Sequence, residues 1–161
     1  MNNRLSRRAF LQLTAAAGSS IVVGFDPRSR SWVTDANAAQ GPLEKLPKLD
    51  GALHIDDASR KAAASDWGLI IHRMPNAVLK PGSVRDVVKM VQYANQHSLK
   101  IAMRGRGHSV YGQALVEGGI VIDSRTLKAV KIVDAETADV QVGVSWGDLN
   151  QITLAKGRLR P

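Results

Sequence analysis

The residues best able to do chemistry lie in one short run, Met103-Arg104-Gly105-Arg106-Gly107-His108-Ser109-Val110-Tyr111-Gly112-Gln113. Three glycines surround a single histidine, directly after the apolar stretch Lys100-Ile101-Ala102-Met103. A strand that ends in such a loop exposes successive backbone N–H groups with no side chain in the way. Such a nest binds anions, pyrophosphate being the usual one. A histidine inside the nest, rather than beside it, implies that the bound group is held by more than hydrogen bonds. The segment is read as a flavin-binding loop.

Other chemistry-bearing side chains group less well. His54, His72 and His97 have no partners at metal-ligand spacing and are expected to be surface or satisfied polar residues. Asp56, Asp57 and Asp66 form no obvious catalytic pair, and Trp67 and Trp146 are expected to be core or packing residues rather than substrate stackers. The chain has no cysteine, which excludes disulfides, thiolate metal sites and thiol catalysis.

The elements that must position the loop follow from periodicity and punctuation. Ala77-Val78-Leu79-Lys80, closed by Pro81-Gly82, predicts a strand. Ser83, with Asp86 three residues on as an acidic capping-box partner, predicts a helix. Its expected inner face is Val84, Val87, Val88, Val91 and Ala94, and it ends near 95–97. Strands are expected at 100–104 before the loop and at 119–123 after it, with two more at 131–133 and 140–142. Ser145 with Asp148 predicts a second helix burying Trp146, Leu149, Ile152 and Ala155. Alternating strands and helices of this length indicate an α/β or α+β domain.

At 161 residues the chain is long enough for one domain with its own core. The net charge of +8 and pI near 10.2 raise nucleic acid as a partner. Yet five arginines against two aspartates place +3 of that within residues 1–38, and the remaining +5 is spread without a block. Aromatics are 4 %, too few for stacking platforms, so nucleic acid is not expected.

Residues 1–38 have the order of a targeting segment. A polar, basic start carries Ser6-Arg7-Arg8-Ala9-Phe10-Leu11-Gln12, and a mildly apolar stretch runs from Leu13 to Phe25. That stretch is too short and too mild for a stable membrane span. Ala36-Asn37-Ala38 then offers small residues for cleavage before Ala39. This order resembles a twin-arginine signal, lacking only the frequent lysine where Gln12 stands. It implies the twin-arginine export machinery as a partner and a periplasmic or secreted location. Residues 39–58, interrupted by Gly41, Pro42, Pro47 and Gly51, are expected to be an extension of the mature N-terminus.

A family resemblance rests on an ordered series of motifs. These are Asp66-Trp67-Gly68, Pro75-Asn76-Ala77-Val78-Leu79-Lys80-Pro81, Arg104-Gly105-Arg106-Gly107-His108-Ser109 and Gly112-Gln113-Ala114. Gly118-Gly119-Ile120-Val121-Ile122-Asp123, Trp146-Gly147-Asp148-Leu149 and Gly157-Arg158-Leu159-Arg160-Pro161 continue it. The series resembles the N-terminal half of the flavin domain of cytokinin dehydrogenases and, more broadly, the vanillyl-alcohol-oxidase-like flavoproteins. The resemblance implies an α+β fold, the first portion of a PCMH-type FAD-binding domain spanning residues 59–161 and incomplete there. It implies that His108 is bonded covalently to the 8α-methyl of FAD. It further implies that Gly105, Arg106, Gly107 and Ser109 wrap the pyrophosphate, with Met103 and Gln113 as flanking contacts. The second, cysteinyl tether of berberine-bridge-like relatives is ruled out here, since Tyr111 and Gly112 stand in that segment and no cysteine exists.

The function implied is an exported FAD-dependent oxidoreductase. It would oxidise a C–H next to an amine or hydroxyl in a small molecule (an amine, alcohol or sugar) and pass electrons to oxygen or a quinone. The family's catalytic base lies downstream of Pro161, so no catalytic residue is expected in this segment. Two alternatives stand beside this: an inert fragment or partner-dependent flavin-binding module, and a sugar or alcohol oxidase of the berberine-bridge-like branch.

Overall fold

A computed structural model describes residues 21–34 and 44–157. Arg7, Arg8 and the expected cleavage site at Ala38 lie outside the described residues, as do Arg158 to Pro161. The chain divides into two compact units, residues 1–46 and 47–161.

In the first unit, β1 (Val22–Asp26) pairs antiparallel with β2 (Ser31–Thr34) on one side and β3 (Glu44–Lys45) on the other. Phe25 is buried, and its ring meets Trp32 edge to face at 5.3 Å. Both β1 and β2 fall within the stretch expected as a targeting segment.

The second unit is built on a four-stranded sheet of order β4-β5-β7-β6, formed by β4 (Ala52–His54), β5 (Ala77–Lys80), β7 (Ile120–Asp123) and β6 (Ile101–Arg104). β5 and β6 both run parallel to β7, while β4 adds antiparallel to β5 at one edge. The two inner strands read as unbroken apolar runs because both their faces are covered. Ala77, Val78, Leu79, Ile120, Val121 and Ile122 are all buried. Helix α1 (Asp57–Ala62) packs near β5, and Ala63 just beyond it joins Val78, Val116 and Val121 in one cluster. Helix α2 (Val84–Gln96) connects β5 to β6, and the small hairpin β8 (Val130–Ile132) with β9 (Ala138–Val140) leads to α3 (Trp146–Leu154). The mixed α+β class is as expected from the pattern. The segment 39–58 does more than extend the mature end, since it contributes β4 to this sheet.

The faces of the two long helices differ from those the sequence predicted. On α2, Val84, Val88 and Val91 are exposed, and the buried face is Asp86, Met90, Tyr93 and Ala94. Two forces turn the helix this way. Met90 and Tyr93 offer more apolar area than the valines. The Ser83 side chain makes no cap bond to the helix, and the Asp86 carboxylate accepts main-chain hydrogen bonds from Asp50 (2.9 Å), Gly51 (2.7 Å) and Gly82 (2.9 Å). Ser83 donates instead to the Asp50 carboxylate at 2.6 Å. Burial pushes the Asp86 pKa up, but these main-chain donors outweigh it and hold the carboxyl below its ordinary value. On α3 the expected capping box is present, with Ser145 Oγ accepting from Asp148 N and Asp148 Oδ2 accepting from Ser145 N. That helix buries Leu149 and Thr153, while Trp146, Ile152 and Ala155 are exposed.

Candidate functional site

β6 ends at Arg104, and the glycine loop occupies the start of the connection back to β7. Arg104 does not point at a ligand. Its guanidinium turns beneath the loop and donates to the carbonyls of Ala63 (3.3 Å) and Ser65 (2.5 Å). Burial and the nearby Arg125 push its pKa down, while Asp123 and Asp66 push it up. Ser124 Oγ donates to the Arg104 carbonyl at 3.0 Å, so both ends of this residue are fixed. Asp123 in turn takes two hydrogen bonds from the Arg125 side chain, at 2.8 and 2.5 Å. Arg106 is exposed. The Asp148 carboxyl, held below its ordinary value chiefly by its hydrogen bonds with Ser145, is also lowered by the Arg106 charge.

Above Arg104 the main chain turns through Gly107, at φ +76°, a left-handed conformation that glycine adopts without strain. A Cβ placed there would meet the Arg104 guanidinium at 2.6 Å. The main-chain N–H groups of Arg106, Gly107, His108 and Ser109 donate to no acceptor among the described residues. Ser109 Oγ is buried and has no hydrogen-bond partner. A row of free N–H donors beside a buried unpaired hydroxyl is a cradle for a multiply charged oxyanion. The donor set therefore fits the pyrophosphate of FAD.

His108 is exposed, with its ring 5.2 Å from that of Trp67 at an interplanar angle of 69°. Of the two roles expected for Trp67, core or packing, it takes the second: it is 72 % exposed and its ring lies against His108 of the loop. Its main-chain N–H donates to the carbonyls of both Gly107 (2.8 Å) and Ser109 (3.1 Å), the residues on either side of His108. Asp66 is buried, accepts from Gly112 N at 2.7 Å, and its other oxygen has no partner. Gly112, at φ +73°, lies so close to Ile71 that a Cβ would sit 2.9 Å from its side chain. Arg73 donates to the Gly112 carbonyl at 3.3 Å. Residues 63–73 thus form the floor and one wall of the loop. The Asp66-Trp67-Gly68 motif was visible in the sequence, but nothing local connects it to a histidine 41 positions on.

Of the other expected contacts, Met103 is exposed on the edge strand β6, and Gln113 is exposed with Oε1 accepting from Tyr111 N at 3.3 Å. The remaining histidines have other partners: His72 Nδ1 meets Ser65 Oγ at 2.7 Å, His54 lies 3.6 Å from Asp56, and His97 packs on Tyr93. Among the described residues no cluster could hold a metal ion, and no helix is long and apolar enough to cross a membrane.

A family model described as FAD binding domain matches residues 75–161. An uncharacterized oxidoreductase of the fasciation locus of Rhodococcoides fascians is 35 % identical over 113 residues, covering 70 % of this chain and 26 % of the relative. Cytokinin dehydrogenase 2 of Arabidopsis thaliana is 36 % identical over 116 residues, covering 70 % of this chain and 23 % of that protein. The crystal structure of 6-hydroxy-D-nicotine oxidase from Arthrobacter nicotinovorans superimposes with a TM-score of 0.61 at 31 % identity, over 68 % of this chain and 25 % of the other. The chain spans about a quarter of the length of these relatives. The fold is that of part of a PCMH-type, vanillyl-alcohol-oxidase-like FAD-binding domain.

Proposed function

Because the chain belongs to the FAD binding domain family, we propose that it is the N-terminal segment of an exported FAD-dependent oxidoreductase that holds the FAD pyrophosphate and carries the flavin covalently on His108. The observation that carries this reading is the run of free N–H groups from Arg106 to Ser109 beside the buried, unpaired Ser109 hydroxyl. Gly105 and Gly107 leave the backbone open to close approach, Arg106 adds positive charge, and Met103 and Gln113 flank the cofactor. His108 stands at the exposed surface of the same turn, where a side-chain bond to a ligand held by that turn can form.

When bound, FAD supplies the capacity to accept a hydride from a C–H beside an amine or hydroxyl and to pass the electrons to oxygen or a quinone. This segment's own residues bind and orient it. The substrate class is read as an amine, supported by the identity to a cytokinin dehydrogenase, with alcohols and sugars as the alternatives. The Arg7-Arg8 pair directs twin-arginine export of a cofactor-loaded, folded protein to the periplasm or beyond. The span of a quarter of its relatives supports a second reading, a flavin-binding module that turns over only together with a partner.

The test is to produce the full chain with FAD, precipitate it in acid and look for flavin fluorescence on the denatured band. Fluorescence that stays with the polypeptide is the expected result. A soluble chain that takes up no flavin at all overturns the reading for this segment.

A further inference from the structure

We infer that Asp66 and Trp67 are positioning residues for His108, holding its imidazole in the orientation that attachment to the flavin requires. The inference rests on the covalent reading above and names the residues that make it efficient.

Three observations converge on the pair. First, the main-chain N–H of Trp67, which substitution of the side chain leaves in place, donates to the carbonyls on both sides of His108, those of Gly107 and Ser109, so this segment lies directly against the backbone that carries the imidazole. Second, the indole stands edge to face with the imidazole at 5.2 Å while remaining 72 % exposed. The indole is outside the core, and the aromatic ring it meets is that of His108. Third, Asp66 is 2 % exposed and fixes the far end of the turn through Gly112 N. Gly68 completes the contact, since a Cβ there would meet the Val110 Cβ at 3.2 Å.

The clamp is itself anchored. Ser65, the residue before it, accepts from the Arg104 guanidinium, and its hydroxyl meets His72 across the mouth of the 65–72 turn. The two segments are therefore bound to each other at both ends, and the imidazole lies between the fixed points.

Attachment replaces one C–H of the flavin 8α-methyl by a C–N bond to the imidazole. The two electrons and two protons released are taken up by the flavin and then by dioxygen, giving hydrogen peroxide. Such a step depends steeply on orientation, because a small misplacement of the nucleophile lowers the rate by about ten- to hundredfold.

The experiment follows acid-stable flavin over time in the full chain mixed with FAD in air. Trp67→Ala is expected to slow attachment about ten- to hundredfold, with a far smaller loss of dissociable FAD, and Trp67→Phe to restore most of the rate. Asp66→Asn is expected to lie between, keeping one acceptor for Gly112. In the flavin-free chain, the imidazole resonances that disappear in His108→Ala should move in Trp67→Ala, because a neighbouring ring has been removed. Attachment at the wild-type rate in Trp67→Ala overturns the positioning role while leaving the covalent reading intact. Equal loss of dissociable and covalent flavin, unrescued by phenylalanine, reduces Trp67 to structural support and also overturns it. A wild-type chain that binds FAD only dissociably overturns the covalent reading, and the clamp with it.

Discussion

The guanidinium of Arg104 fills the space that a side chain on Gly107 would need. The two are three residues apart on opposite sides of one turn, and the arginine head cannot swing away without releasing the Ala63 and Ser65 carbonyls. Gly107→Val therefore meets both a filled site and a left-handed backbone. The conformational part alone costs roughly 1–2 kcal/mol. Flavin content per chain should fall well below wild type, measured by absorbance after gel filtration, and unchanged content would argue against the nest.

His108→Ala should separate the two ways of holding FAD. Acid-stable flavin is expected to vanish while some dissociable FAD remains, because the N–H groups of the turn are main-chain donors that the substitution leaves in place. Acid-stable flavin persisting in this variant would assign the tether to another residue.

Asp86 should make stability depend on acid. Its folded pKa lies below the unfolded value, so the stabilisation is complete above about pH 4, the ordinary aspartate range, and is lost as pH falls through the lower folded value. Asp86→Asn keeps an acceptor but no charge, and each main-chain donor left unsatisfied costs about 1–3 kcal/mol. In urea unfolding the variant should be weaker at pH 7, with the gap to wild type narrowing toward pH 3. A gap independent of pH would show that the charge contributes nothing.

Replacing Arg7 and Arg8 by lysine should hold the precursor in the cytoplasm. Cell fractionation decides it: normal appearance of processed protein outside the cytoplasm would point to a different export route.

What was legible in the sequence was legible for local reasons. Ala77 to Lys80 is an unbroken apolar run closed by Pro81-Gly82, and Ile120 to Asp123 follows Gly118-Gly119, so both inner strands could be placed almost to the residue. The Ser145–Asp148 box needs only three residues of context, and it formed as expected. The face of α2 was not legible, because a stripe of valines competes with a single carboxylate whose partners, Asp50 and Gly51, lie on another segment. The strand β4 was missed since three residues give too little alternation to register as a period. The partner of Trp67 was hidden for a related reason: it is His108, and no pattern in either neighbourhood announces the other. In the loop, sequence singled out the residues, but the inward turn of Arg104 required the carbonyls of Ala63 and Ser65 to be seen.

The strand order has a bearing on when the cofactor can arrive. β7 is the last strand of its sheet to be synthesised, yet it belongs in the middle, between β5 and β6. Without it, neither neighbour has its parallel partner. The cradle is therefore complete only when the central strand is in place, because the turn with its unpaired N–H groups hangs between two strands that β7 joins.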